Sequence, residues 1–259
     1  MRLILFAQGV HPDWPLLLAA NRDEFHRRPT AAAGFWAQHP DVLAGIDLEA
    51  GGTWMGIRRD GRIAAVTNYA EPPPEPMPPR SRGDLVADYL IGDRPAAEYL
   101  ATLEPVADQF RGFNLLLGTP GQLWSFSNRD GGAHRLAPGT YGLSNHLLDT
   151  AWPRVNRGKS ALADFERAEA APDVDDLLAL LGDEDEPRDE ELESLPPDAC
   201  GPGATAPCFI RGDVYGTRSS TVLMVHRSGR VRFTEQRFGP DGIRGERSDF
   251  EFELEPPLQ

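Results

Sequence analysis

The chain has 259 residues, 40% of them hydrophobic and 22 of them aromatic, enough for a substantial core in one large domain or two small ones. Lys and Arg number 26 against 40 for Asp and Glu, a formal charge of −14. Chains this acidic are repelled by nucleic-acid phosphates and anionic headgroups, so polyanion binding is excluded as the main function. Two cysteines make no disulfide framework, and Leu3 to Ala7 is too short for a signal-peptide core or a membrane span. The expectation is a cytoplasmic protein without stable membrane insertion.

Short apolar runs bounded by turn residues predict strands at Leu3 to Ala7, Leu16 to Ala20, Thr53 to Ile57 and Ile63 to Thr67. Gly51-Gly52 and Asp60-Gly61 read as turns, the latter closing a hairpin. Six prolines between Glu71 and Arg80 impose an exposed, extended loop near 71–80. Helical spacing follows at Arg82 to Leu90 and Ala96 to Leu103, then strands at Asn114 to Gly118, Gln122 to Ser127 and Tyr141 to Ser144. Beyond Trp152 the period becomes helical, with Val155, Leu162 and Phe165 on one face and Asp173 as N-cap of a helix to Leu181. An acidic run from Asp183 to Glu193 and a Pro/Gly-rich stretch to Pro207 predict a solvated loop near 183–207. Strands return at Thr221 to His226 and Val231 to Glu235. Strands, helices and strands without βαβ rhythm predict one α+β domain over 1–259.

No dinucleotide, P-loop, zinc-protease or nucleophile-elbow motif is present. The six histidines lack ligand spacing, no metal site is expected, and Cys200 and Cys208 read as free thiols. Polar residues instead gather next to strand runs: Asn21-Arg22-Asp23-Glu24, Asn68, Asn128, Asn145 and Tyr215-Gly216-Thr217-Arg218-Ser219-Ser220-Thr221. Amides and guanidinium groups there suit a cleft that holds an oxyanion or a carboxylate.

With Glu49 to Gly56, Thr67-Asn68-Tyr69, Ser81-Arg82-Gly83, Gly112 to Leu116 and Gly142 to Asn145, these segments resemble, in order, the motif series of the NRDE family, also called the Transport and Golgi Organisation family. The resemblance implies an N-terminal-nucleophile (Ntn) hydrolase fold, an αββα four-layer sandwich of two antiparallel sheets between helices. Members usually start Met-Cys-Leu-Ile, whereas this chain starts Met1-Arg2-Leu3-Ile4. A guanidinium is no nucleophile, and a large second residue hinders removal of Met1.

By that resemblance Arg2 occupies the nucleophile position of a pocket with Asp23, Asn68, Asn145 and Arg218. Ligand-facing residues are expected to be Asn21, Arg22, Glu24, Trp54 and Arg218, with Phe25, Trp36 or Phe113 as further ring contacts. A buried Arg2 needs a partner, and Asp23 one strand away is the expected one. The implied function is binding or trafficking of a small anionic, apolar ligand, haem being suggested by the family. The alternatives are a C–N amide hydrolase or acyltransferase impaired by Arg2, and an interaction module using the acidic and proline runs.

Overall fold

In a computed structural model the residues described are 1–72, 76–167, 172–195, 197–200 and 203–255. Among these residues thirteen strands form in chain order: β1 (Arg2–Gln8), β2 (Leu16–Phe25), β3 (Thr30–Phe35), β4 (Val42–Asp47), β5 (Met55–Arg58), β6 (Ile63–Asn68), β7 (Phe113–Thr119), β8 (Gln122–Ser127), β9 (Gly132–Arg135), β10 (Gly139–Leu143), β11 (Tyr215–Val225), β12 (Arg230–Phe238) and β13 (Arg244–Glu253). Among the described residues there are also five α-helices, α1 (Arg82–Ile91), α2 (Ala96–Leu103), α3 (Pro153–Arg167), α4 (Val174–Leu181) and α5 (Asp189–Glu193), and three short 3-10 turns.

The strands make two antiparallel sheets. Sheet A runs β10-β1-β2-β11-β12-β13, and sheet B runs β3 to β9 in sequence order. Residue alternation in β1 and β2 sets the layers. Ile4, Phe6, Leu16, Leu18 and Ala20 join the core shared with sheet B, while Leu3, Leu5, Ala7, Leu17 and Ala19 join Val155, Leu162, Leu177 and Leu181 of α3 and α4. On the far side, α1 packs on β4 to β7 and α2 on β8. The result is the expected αββα sandwich. Both faces of β1 and β2 are covered, which is why these strands read as unbroken apolar runs.

Local chemistry explains the elements that the spacing predicts. Asp60-Gly61 turns the β5–β6 hairpin with Gly61 at φ +91°. Ser81 caps α1, its Oγ accepting from the Gly83 N–H at 3.2 Å. Asp173 and Asp176 form a reciprocal capping box on α4. The first turn of α1 lies so close to Gly52 that a Cβ there would sit 2.5 Å from the Gly83 carbonyl carbon. Gly51, at φ +86°, serves the turn, and Gly52 lets α1 dock.

Four differences from the sequence reading have physical causes. β2 continues through Asn21 to Phe25 and β11 starts at Tyr215, so the polar motifs are strand residues paired to each other, not strand ends. β3, with the small residues of Thr30-Ala31-Ala32-Ala33-Gly34, carries little β signal yet pairs at the edge of sheet B. The charged β13 is an edge of sheet A, where solvent accepts charge and Phe250 and Phe252 pack inward on Phe35. The acidic run contributes the short α5, held by Arg157 on Glu191, and the loop through Arg211 on Glu184. Residues 73–75 of the proline run and 196, 201 and 202 of the later loop lie outside the described residues.

Candidate functional site

The pairing register of β1, β2 and β11 assigns each motif residue to a face. Arg2 stands opposite Arg22, Asn21 opposite Ser220, and Asp23 opposite Thr217 next to a bulge at Arg218. Even-numbered positions of β1 and β2 point between the sheets and odd-numbered ones toward α3 and α4. Arg2, Arg22 and Glu24 thus share the inter-sheet face, whereas Asn21 and Asp23 share the helix face.

This corrects the expected Arg2–Asp23 pair. Asp23 accepts from the Thr217 hydroxyl at 2.8 Å and faces Arg154 of α3 at 3.7 Å, with both side chains fully buried. Arg2 donates from Nη1 to Asn68 Oδ1 at 2.7 Å, and its backbone N–H donates to Asn145 Oδ1 at 3.0 Å. Arg154 closes the helix side, donating to Ser144 Oγ, to Asn145 Oδ1 at 3.2 Å and to the Arg2 carbonyl at 3.4 Å. The Met1 amine donates to the Asp23 carbonyl and to the Tyr215 hydroxyl, and burial pushes it down to about 5. Asn21 holds the Leu181 and Cys208 carbonyls and accepts from Ser220, which anchors α4 and the following loop to sheet A.

On the inter-sheet face lies a cavity of about 270 Å³. Of the expected residues, Arg2, Arg22, Glu24, Trp54, Asn68 and Arg218 line it. Asn21, Asp23, Asn145, Phe25, Trp36 and Phe113 do not. Eight arginines line the cavity against three carboxylates, Glu24, Asp47 and Glu235. Arg28, Arg80, Arg82, Arg111 and Arg237 are the arginines that the sequence reading did not single out. The Ser81-Arg82-Gly83 motif and Arg111 beside Gly112 were the available signals.

The acids engage only part of this charge. Asp47 binds Arg28 Nε at 2.7 Å and Arg22 at 3.5 Å, and Glu24 approaches Arg22 at 3.9 Å. Glu235 accepts from the Ala33 N–H at 2.8 Å at the bulge of β3, and burial raises its pKa. Arg2, Arg82, Arg111 and Arg218 form no ion pair among the described residues, and Arg2 Nε, Arg22 Nη1, Arg111 Nε and Arg218 Nε are buried without a hydrogen-bond partner. Burial, then the neighbouring Arg22 and Arg82, push the Arg2 guanidinium down to about 9. Burial and Arg111 push Arg82 down to about 10. A field this positive favours an anion.

Glu71 holds the start of the proline run by accepting from Arg129 at 2.8 Å and from the Gly112 N–H at 2.8 Å. Its burial, which raises the pKa, is outweighed by these bonds, and the net shift is downward. The sign follows: the stabilisation is complete above the unfolded carboxyl pKa of about 4.3 and is lost as pH falls through the lower folded value. Glu71→Gln is therefore expected to cost stability at pH 7 and to flatten the acid limb of a urea-unfolding series between pH 6 and 3.

Among the described residues no group of three His, Cys, Asp or Glu side chains is placed to hold a metal ion, and no helix is long and apolar enough to cross a membrane. Cys208 is buried and its thiol pushed up to about 12, while Cys200 is exposed.

Comparison with known proteins agrees with this architecture. The family model described as Transport and Golgi organisation 2 matches residues 1–240. A Transport and Golgi organization protein 2 homolog of Bos taurus is 39% identical over 257 residues, covering 93% of each chain. The Mus musculus homolog is 36% identical over 257 residues, again covering 93% of each. The solved structure of the Caenorhabditis elegans N-acylethanolamine-hydrolyzing acid amidase ortholog aligns with TM-score 0.50 at 12% identity, over 85% of this chain and 92% of that one. At that identity the likeness shows the fold, which is of the Ntn-hydrolase type. With the motif series, the two-sheet sandwich and whole-chain relatives in agreement, the chain belongs to the Transport and Golgi organisation 2 family.

Proposed function

We propose that the chain binds a small anionic ligand with an apolar part between its sheets, and handles that ligand rather than cleaving it. The observation that carries this reading is the cationic surplus of the cavity, to which Arg2 contributes from the second position of the chain, where the family resemblance implies a cysteine nucleophile. Trp54 in the wall and Met77 and Pro78 at the rim supply apolar contact. The cavity is at the lower bound of drug-sized sites, about 300–1,000 Å³, so it encloses a charged end and leaves a larger body at the mouth. Haem, which the family resemblance suggests, would offer its propionates to Arg22 and Arg218 in the cavity lining.

Titration of the purified protein with haem, followed at the Soret band, tests the reading. A saturable change at micromolar ligand, weakened about tenfold or more by Arg22→Gln, is expected. Absence of saturation removes haem as the ligand. A cytoplasmic location is part of the same proposal, and fractionation of cells expressing the tagged chain checks it.

A further inference from the structure

We propose that the charged end of the ligand is a phosphoryl group, a phosphate monoester or diphosphate, held between Arg2, Arg82 and Arg111. This inference rests on the anion-binding reading above and specifies its chemistry. Three observations carry it. The acids lining the cavity are spent on Arg22, Arg28 and the Ala33 N–H, Arg80 and Arg237 pair with Asp88 and Glu246 outside it, and Arg2, Arg82, Arg111 and Arg218 have no carboxylate within ion-pair distance among the described residues. One carboxylate would offset one of these charges. A phosphate monoester brings about −1.5 to −2 at neutral pH and three acceptor oxygens, enough to engage several guanidinium forks at once.

The donors also approach from different elements. Arg2 comes from the start of β1 and is fixed by Asn68. Arg82 comes from the first turn of α1 and is fixed by its bond to the Gly112 carbonyl at 3.2 Å. Arg111 immediately precedes Gly112. Ser81, Arg82 and Gly83 place the N-terminus of the ten-residue α1 in the cavity wall, so the helix dipole adds to the same field. Arg22 is 4% exposed with Nη1 unpartnered in the same cavity, a donor waiting for an acceptor that the chain does not supply.

The test is calorimetric and thermal-shift titration of the full chain at constant ionic strength with inorganic phosphate, pyrophosphate, glycerol 3-phosphate and acetate, and flotation with vesicles containing phosphatidic acid. Saturable binding of the phosphoryl compounds at least tenfold tighter than acetate is expected. Affinity for glycerol 3-phosphate should rise from pH 5.5 to 7.5 as the dianion forms. Arg82→Gln and Arg111→Gln should each weaken it about tenfold or more. Two variants are used so that a folding defect in one leaves the other to decide. Vesicle flotation in place of glycerol 3-phosphate binding assigns the same group to a lipid headgroup. Phosphoryl compounds no tighter than acetate, or variants with unchanged affinity, overturn the inference. If haem saturates and phosphate does not, the phosphoryl inference falls and the anion-binding reading stands; if nothing saturates, both fall.

Discussion

Arg154→Leu is expected to lose about 3–5 kcal/mol of stability, the cost of leaving one member of a buried ion pair alone. Asp23 and Arg154 are fully buried, 3.7 Å apart, with Asp23 Oδ2 and Arg154 Nη1 lacking hydrogen-bond partners. Without Arg154 the Asp23 carboxylate keeps only the Thr217 hydroxyl, and Ser144 loses its guanidinium donor. Asn145 retains the Arg2 N–H, so the ligand side of the site should change less than the stability. The double variant Asp23→Leu, Arg154→Leu removes both charges and is expected to recover much of the loss, because apolar replacements of a buried pair are often neutral or better. Urea unfolding of both variants checks this, with m-values compared to confirm two-state behaviour. A single-variant loss below about 1 kcal/mol, the value of a solvent-exposed pair, would show that the pair is not isolated from water.

The Arg154–Asp23 contact also marks where sequence stopped being sufficient. The strands, hairpins and caps at Leu3 to Ala7, Asp60-Gly61, Ser81 and Asp173 follow from apolar runs and short-range turn chemistry, and they are legible in one sequence. Pairing partners are not. Arg2 and Asp23 are near in register, yet β2 alternates, so the side chain after Arg22 leaves the inter-sheet space altogether. The signal that could have found Arg154 was present: a guanidinium between Trp152 and Val155 sits on the apolar stripe of an amphipathic helix, and such a charge needs a buried partner. Arg82 lies in the Ser81-Arg82-Gly83 motif and Arg111 beside Gly112, but it takes the docking of α1 against Gly52 to bring Arg82 to the cavity wall. β3 and β13 carry little strand signal in the sequence because edge strands of small or charged residues do not alternate cleanly.

Arg2→Cys is expected to give a thiol more acidic than a free cysteine, titrating below about 8.5, and to weaken anion binding about tenfold or more. The same neighbours that push the guanidinium down, Arg22 and Arg82, stabilise a thiolate at that position, although burial opposes it. Alkylation by iodoacetamide, followed by mass against pH with the parent protein as control, separates the new thiol from the old ones: burial pushes Cys208 up to about 12, and exposed Cys200 is common to both proteins. A midpoint at or above 8.5 would show that desolvation outweighs the arginine field. Substitution also frees Asn68 Oδ1 from Arg2, while Asn145 and Asn68 remain joined by the Asn145 Nδ2 bond to the Asn68 carbonyl at 2.9 Å. Offered an ester with an anionic acyl group, the new thiolate would attack the carbonyl carbon, expel the alkoxide, which takes a proton from water, and leave an acyl adduct visible by mass. The parent should form none. Adduct on the variant and none on the parent would show that the side chain at position 2 alone decides whether this cavity can be acylated.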